Sequence, residues 1–179
     1  MAAYVALLYS IILGKGRRLV MAELKALAAE LGLGSPRTVV ATGNLVFDAP
    51  PTDPRDLEAR LEAAFAGRFG RHIDIIVHGA DDFRRIVASN PFPEESVADP
   101  AHVIAQVTRV PARPEVAGQL APFAADGERV AVAGGILWLW LPHGVAKSRL
   151  AAAVTPKRVG IGTARNWNTM RRIAALLDA

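Results

Sequence analysis

Residues 136–141 read Ile-Leu-Trp-Leu-Trp-Leu, six apolar side chains with no polar break. Successive side chains on a strand point to opposite faces. A strand of this sequence is apolar on both faces, so the sheet that holds it needs cover on both sides. Gly134-Gly135 stand immediately before it, and the run Glu128 to Ala133 precedes them. Two glycines between strand-like runs predict a two-residue hairpin, since the favoured turn needs positive φ at both central positions. Tyr4 to Tyr9 (Tyr-Val-Ala-Leu-Leu-Tyr) reads as a second strand of this kind. The expected cover is helices on one side, with the other half of the chain or a second subunit on the opposite side.

The order of elements around these strands is informative. In the first half, Ser10 to Val20 reads as a loop containing Gly14-Lys15-Gly16-Arg17-Arg18. Met21 to Leu31 reads as a helix with Met21, Leu24, Leu27, Ala28 and Leu31 on one face. Arg37 to Ala41 and Asn44 to Phe47 read as strands about a Thr42-Gly43 turn. Asp53-Pro54 opens a helix that runs to about Phe69, with Asp as cap and Pro at the first helical position. Ile73 to Val77 is a strand and Ala80 to Ala88 a helix, closed before Asn90-Pro91. Pro91 to Pro100, with three prolines and three acids, reads as a linker.

The second half repeats that order. His102 to Val110 is a strand, Pro114 to Leu120 a helix, and the Gly134-Gly135 hairpin follows. Ala146 to Val154 is a helix, Ile161 to Ala164 a short strand, and Trp167 to Leu177 a closing amphipathic helix. The expectation is an α/β (α+β) fold of duplicated ferredoxin-like β-α-β-β-α-β halves with mainly antiparallel sheets. The halves are residues 1–90 and 101–179, with 91–100 as linker. No residue-level repeat accompanies the element order.

Composition narrows the function classes. The chain has no cysteine, which excludes disulfides, thiolate metal sites and cysteine nucleophiles and fits a cytoplasmic protein. Met1-Ala2-Ala3-Tyr4 lacks a basic region ahead of an apolar stretch, so no signal peptide is expected. No apolar run approaches the roughly 18–20 residues that span a bilayer, so no membrane partner is expected. Net charge is +4 but unevenly spread. Between His143 and Leu177 lie Lys147, Arg149, Lys157, Arg158, Arg165, Arg171 and Arg172, with no acid among them. Lys15, Arg17 and Arg18 form a second acid-free group. Such surfaces suit a phosphate-bearing small molecule or nucleic acid, and they also occur simply as solvated faces.

Two stretches carry candidate chemistry. The Gly14–Arg18 loop joins a strand to a helix, where backbone N–H groups and a Lys can approach phosphate. It matches neither the P-loop nor the dinucleotide-binding pattern, and it also reads as a flexible basic loop. Thr163-Ala164-Arg165-Asn166-Trp167-Asn168-Thr169 gathers a cation, an indole and two carboxamides just before the last helix. One reading has Arg165 with Lys157 and Arg158 gripping an anion at the helix N-terminus, with Asn166 and Asn168 beside it. The other has Asn166 or Asn168 capping the helix and Trp167 in the core. The candidate anion set is therefore Lys15, Arg17, Arg18, Lys157, Arg158, Arg165, Asn166 and Asn168.

Little else points to catalysis. His72, His78, His102 and His143 are scattered singly, with no helix-spaced pairing, so metal ligation is not expected. Ser148 lies in no nucleophile motif, and Asp81-Asp82 stand where a helix start favours acids. Tyr4, Phe47, Trp138 and Trp140 match no RNA-binding consensus and read as core. No cofactor is implied and no catalytic residue is assignable.

The stretch 163–169 resembles a bacterial family catalogued as domain of unknown function 1697. Gly14, Met21-Ala22-Glu23-Leu24, Thr42-Gly43-Asn44-Leu45-Val46-Phe47, Asn90-Pro91-Phe92 and Lys147-Ser148-Arg149-Leu150 are similar to its pattern in the same order. The resemblance implies two ferredoxin-like halves in one compact unit and implies no activity. Where the family commonly reads Arg-Gly-Ile-Asn, this chain reads Tyr9-Ser10-Ile11-Ile12, so a site built on that Arg and Asn is missing here. The functional expectation is a binding protein for a phosphate-bearing ligand or nucleic acid. The alternatives are an enzyme of unassigned class acting on a small anion, or a homodimeric interaction module.

Overall fold

The computed structural model describes residues 1–179. The chain divides into two compact units, Met1–Phe83 with Arg172–Ala179, and Arg84–Arg171. Each holds a four-stranded antiparallel sheet, and a small two-stranded hairpin makes a third sheet. The fold is thus α+β, with helices set among antiparallel sheets.

In the first unit the order is β1 (Ala2–Leu8), β2 (Ile12–Gly14), β3 (Arg17–Arg18), α1 (Met21–Glu30), β4 (Gly34–Thr38), β5 (Asn44–Ala49), α2 (Pro54–Phe69) and β6 (Ile75–Gly79). The main sheet runs β4-β5-β1-β6. β1 is central, with Val5 opposite Val46 on one side and His78 on the other. Tyr4, Ala6, Leu8, Leu45, Phe47, Ile75 and Val77 face one way and pack on Leu24 and Leu27 of α1 and Leu57, Leu61 and Phe65 of α2. Val5, Leu7, Val46 and Ile76, facing the opposite way, are also fully buried. Both faces of β1 are therefore covered within a single chain, and no second subunit is needed for that purpose. Full burial of each such side chain stabilises by roughly 1.5–3 kcal/mol.

α2 forms where its punctuation placed it. The Asp53 carboxylate accepts the Arg55 N–H at 2.9 Å, Pro54 is the first helical residue, and Gly70 closes the helix at φ 67°. Two expectations need correction. Residues 10–20 are not a plain loop but contain the β2–β3 hairpin. Lys15 (φ 47°) and Gly16 (φ 76°) both take positive φ, the turn whose twist suits a two-residue hairpin. Thr42-Gly43 is not a two-residue turn either, because β4 ends at Thr38. Buried Asn44 explains the longer connection: its Nδ2 donates to the Val39 carbonyl and to Thr42 Oγ1, both at 2.9 Å. Gly43, at φ 79°, lies so close to β1 that a Cβ there would stand 2.8 Å from that of Leu8.

α3 (Ala80–Ala88) carries the chain into the second unit. There follow α4 (Pro93–Ala98), β7 (Val103–Thr108), α5 (Glu115–Leu120), a 3₁₀ turn at Ala121–Phe123, β8 (Arg129–Ala133), β9 (Ile136–Trp140), α6 (Arg149–Ala153), α7 (Pro156–Val159), β10 (Gly162–Asn166) and α8 (Trp167–Leu177). The sheet runs β10-β7-β9-β8. Gly134 (φ 59°) and Gly135 (φ 73°) make the expected hairpin turn. Ile104, Leu137, Leu139 and Leu141 pack on Val116, Leu120, Leu150 and Ala153. Val103, Ala105, Val107 and Trp138 are fully buried too.

Residues 91–100, expected as a linker, hold α4. Asn90 starts it by accepting the Phe92 N–H at 2.9 Å and donating to Ser96 Oγ at 2.6 Å. Glu95 of this helix pairs with Arg129. α6 is shorter than expected, because Ser148 caps it late by accepting the Ala151 N–H at 2.9 Å. No helix is long and apolar enough to cross a membrane.

Candidate functional site

Arg165 lies on β10 opposite Ala105 of β7. It is buried, and its Nη1 donates to Thr163 Oγ1 at 2.7 Å and to the Ala164 carbonyl at 2.8 Å. Burial pushes its pKa down to about 10, which leaves it charged at neutral pH. These two bonds tie the guanidinium to its own strand. Asn166 Oδ1 accepts the Thr169 N–H at 3.0 Å and so caps α8. Asn168 Oδ1 accepts from Arg171 at 3.2 Å. Trp167 meets Trp138 edge to face at 6.0 Å. Arg165, Asn166 and Asn168 thus each make a side-chain bond to a residue within three positions.

The first loop is likewise engaged. Arg17 Nη2 pairs with Glu23 Oε1 at 2.5 Å. Glu23 Oε2 also accepts the Val20 N–H at 3.2 Å, just before α1. The chain's own carboxylate thus stands at the start of α1, where the helix dipole favours an acid. Lys15 and Arg18 are exposed on the hairpin.

The basic residues of the second unit arrange differently. Arg158, on α7, donates Nη1 to the Ala153 carbonyl at 3.1 Å and stacks over Phe123 at 4.9 Å from the ring centre. These contacts hold the guanidinium plane still while leaving most of its five N–H donors for other partners. Phe123, Arg149, Ala152, Ala153 and Arg158 line a cavity of about 250 Å³. Arg149 also lines a neighbouring cavity of about 240 Å³, with Ala125, Asp126, Glu128, His143, Gly144, Lys147 and Ser148. Lys147 and Arg149 are exposed, whereas the Ser148 between them is buried as the α6 cap and Leu150 is core. Lys157 is exposed on α7 beside Arg158 but lines neither cavity.

Of the expected set, Arg158 lies on the wall of one of these two cavities. Arg149, Lys147 and His143 were passed over as site residues, although Lys147 and Arg149 stood in the acid-free segment. The distinguishing signal was available in the Lys147-Ser148-Arg149-Leu150 alternation, with capping and core residues at the even numbers and two unassigned cations at the odd ones.

The roles of the other quoted stretches are equally local. Thr42-Gly43-Asn44 builds the turn into β5, and Asn90-Pro91-Phe92 starts α4. These stretches fall within residues 1–138, the span matched by the profile of the family described as "Protein of unknown function (DUF1697)". The chain belongs to the DUF1697 family. The match ends at Trp138, ahead of both Lys147–Leu150 and the 163–169 stretch. Among solved structures, this DUF1697 chain is similar to the conserved bacterial protein SP0830 from Streptococcus pneumoniae, with 21% identity, 98% of each chain covered and a TM-score of 0.75. At that identity the likeness establishes the shared fold. The chain matches no curated protein.

Proposed function

We propose that this DUF1697 protein binds a phosphate-bearing ligand through the basic surface of its second unit. The observation that carries the reading is the position of Arg149, a wall of two adjoining cavities with Arg158 on one side and Lys147 and His143 on the other. Arginine donors in a fork match phosphate oxygens two at a time. Cavities of about 250 and 240 Å³ fall below the roughly 300–1,000 Å³ of whole-molecule pockets, so the unit recognised is a phosphate group. The Phe123 ring, already stacked with Arg158, offers a flat apolar wall for what the phosphate carries. Asp126 and Glu128 on the second cavity oppose a highly charged polyanion there and favour the Arg158 side.

The scaffold we infer for this site is a duplicated ferredoxin-like pair, with halves over 1–90 and 101–179 about residues 91–100. It is supported by the shared β-α-β-β-α-β order and by the matching strand orders β4-β5-β1-β6 and β8-β9-β7-β10. The anion reading is tested by titrating the protein with pyrophosphate and with a short single-stranded oligonucleotide at two salt concentrations. Binding that weakens with salt, and that falls about tenfold or more in Arg149→Ala at unchanged thermal stability, is expected. Affinity that ignores both salt and Arg149 overturns the reading.

A further inference from the structure

The first unit holds a donor cluster that no sequence spacing announces. Glu62 of α2 and His72 and Asp74 of the following segment offer one ligand atom each, all within 4.8 Å of one another. We infer that these three residues form a binding site for a divalent transition metal, zinc being the reference ion. The inference is independent of the anion reading above.

The backbone around the cluster is fixed at several points. Gly70 closes α2 by donating its N–H to Ala66. Arg71 Nη1 donates to the Ile12 carbonyl at 3.0 Å, and the Asp74 carbonyl accepts the Tyr9 N–H at 2.9 Å. Ile73 is buried, so in an extended chain its neighbours 72 and 74 project together to the other side. That side is where Glu62 stands, and Glu62 Oε1 accepts the Ile75 N–H at 2.9 Å, which orients the carboxylate.

Donor chemistry and spacing agree with a cation. One imidazole and two carboxylates suit zinc and its neighbours in the first row. His72 Nε2 stands 3.8 Å from Asp74 Oδ1, too far for a hydrogen bond. Two donors on one tetrahedral ion at about 2.0–2.1 Å stand about 3.3 Å apart, so this pair needs to close by about half an ångström. His72 is exposed and free to make that movement. Bringing two carboxylates together without a cation is repulsive, and a divalent ion removes that repulsion. Three protein ligands leave at least one coordination position to water. Because imidazole ligates only when neutral, binding weakens in acid.

The test is calorimetric titration of the full chain with zinc chloride, with cobalt(II) absorption as a second readout. One ion per chain is expected, with affinity lowered about tenfold or more in His72→Ala and in Glu62→Gln, which keeps the acceptor for Ile75. The cobalt d–d band is expected to weaken in the same variants, whose folding is checked by circular dichroism. No binding, or affinity in both folded variants equal to that of the parent protein, overturns the inference.

Discussion

Arg165, a candidate ligand residue by sequence, makes two side-chain bonds within its own strand. Its neighbours in sequence supply a hydroxyl and a carbonyl at hydrogen-bond distance, so its own strand offsets part of the cost of burying its charge. Nothing in the order of residue types reveals that, because it depends on which side of β10 the side chain takes. Gly162, three residues earlier, is explicit only in three dimensions as well. A Cβ there would lie 2.4 Å from the Val107 carbonyl oxygen. Gly162→Ala is therefore expected to destabilise by about 1–3 kcal/mol, readable as a lower denaturant midpoint with an unchanged slope. His78 makes a prediction about pH. It is largely buried on β6, and desolvation lowers its pKa, with Asp82 partly opposing and Arg55 adding to the effect. Its Nε2 is buried without a partner. The unfolded chain takes up the proton at higher pH than the folded one, so between the two pKa values the unfolded state binds more protons. Stability at this group is full above the ordinary histidine range and is lost as pH falls through it. Thermal unfolding from pH 7.5 to 5 is expected to decline less steeply in His78→Gln than in the parent protein.

At the level of elements, much was legible because the local rules agreed with one another. α2 was readable from Asp53, Pro54 and its apolar period, and the β8–β9 hairpin from Gly134-Gly135. The misplaced elements share a cause. The β2–β3 hairpin turns on Lys15 in a left-handed conformation, which its residue type does not advertise. The connection before β5 is set by a buried side-chain amide at Asn44, and α4 by the Asn90 side chain; both are side-chain substitutes for backbone pairing. The two asparagines before and within α8 can be separated on this basis. Asn166→Ala removes the cap and is expected to cost about 1 kcal/mol. Asn168→Ala removes only a partly exposed bond to Arg171 and is expected to be near neutral. Chemical denaturation of the two variants side by side checks the difference, and a larger loss in Asn168→Ala contradicts the assignment.

At the scale of the molecule, the main sheet strands were readable in order along the chain, but the bounds of the compact units were not. Those bounds depend on where α8 spends its length, and α8 looks alike from either side in sequence. Its residues from Arg172 onward are compact with the first unit, where Arg37 Nη1 donates to the Leu176 carbonyl at 3.1 Å. A cation at the helix C-terminus is the favourable arrangement. Ending the chain at Arg171 is therefore expected to destabilise the first unit, although 88 residues separate its last other member, Phe83, from that point (171 − 83). Proteolysis should then cut earliest within residues 1–83, and cleavage confined to 84–171 runs against the expectation.

The same discontinuity bears on how the protein is made. In topological terms the second unit is an insert within the first. A ribosome releases residues 1–83 long before it releases 172–179, so during synthesis the N-terminal sheet must wait for its closing segment.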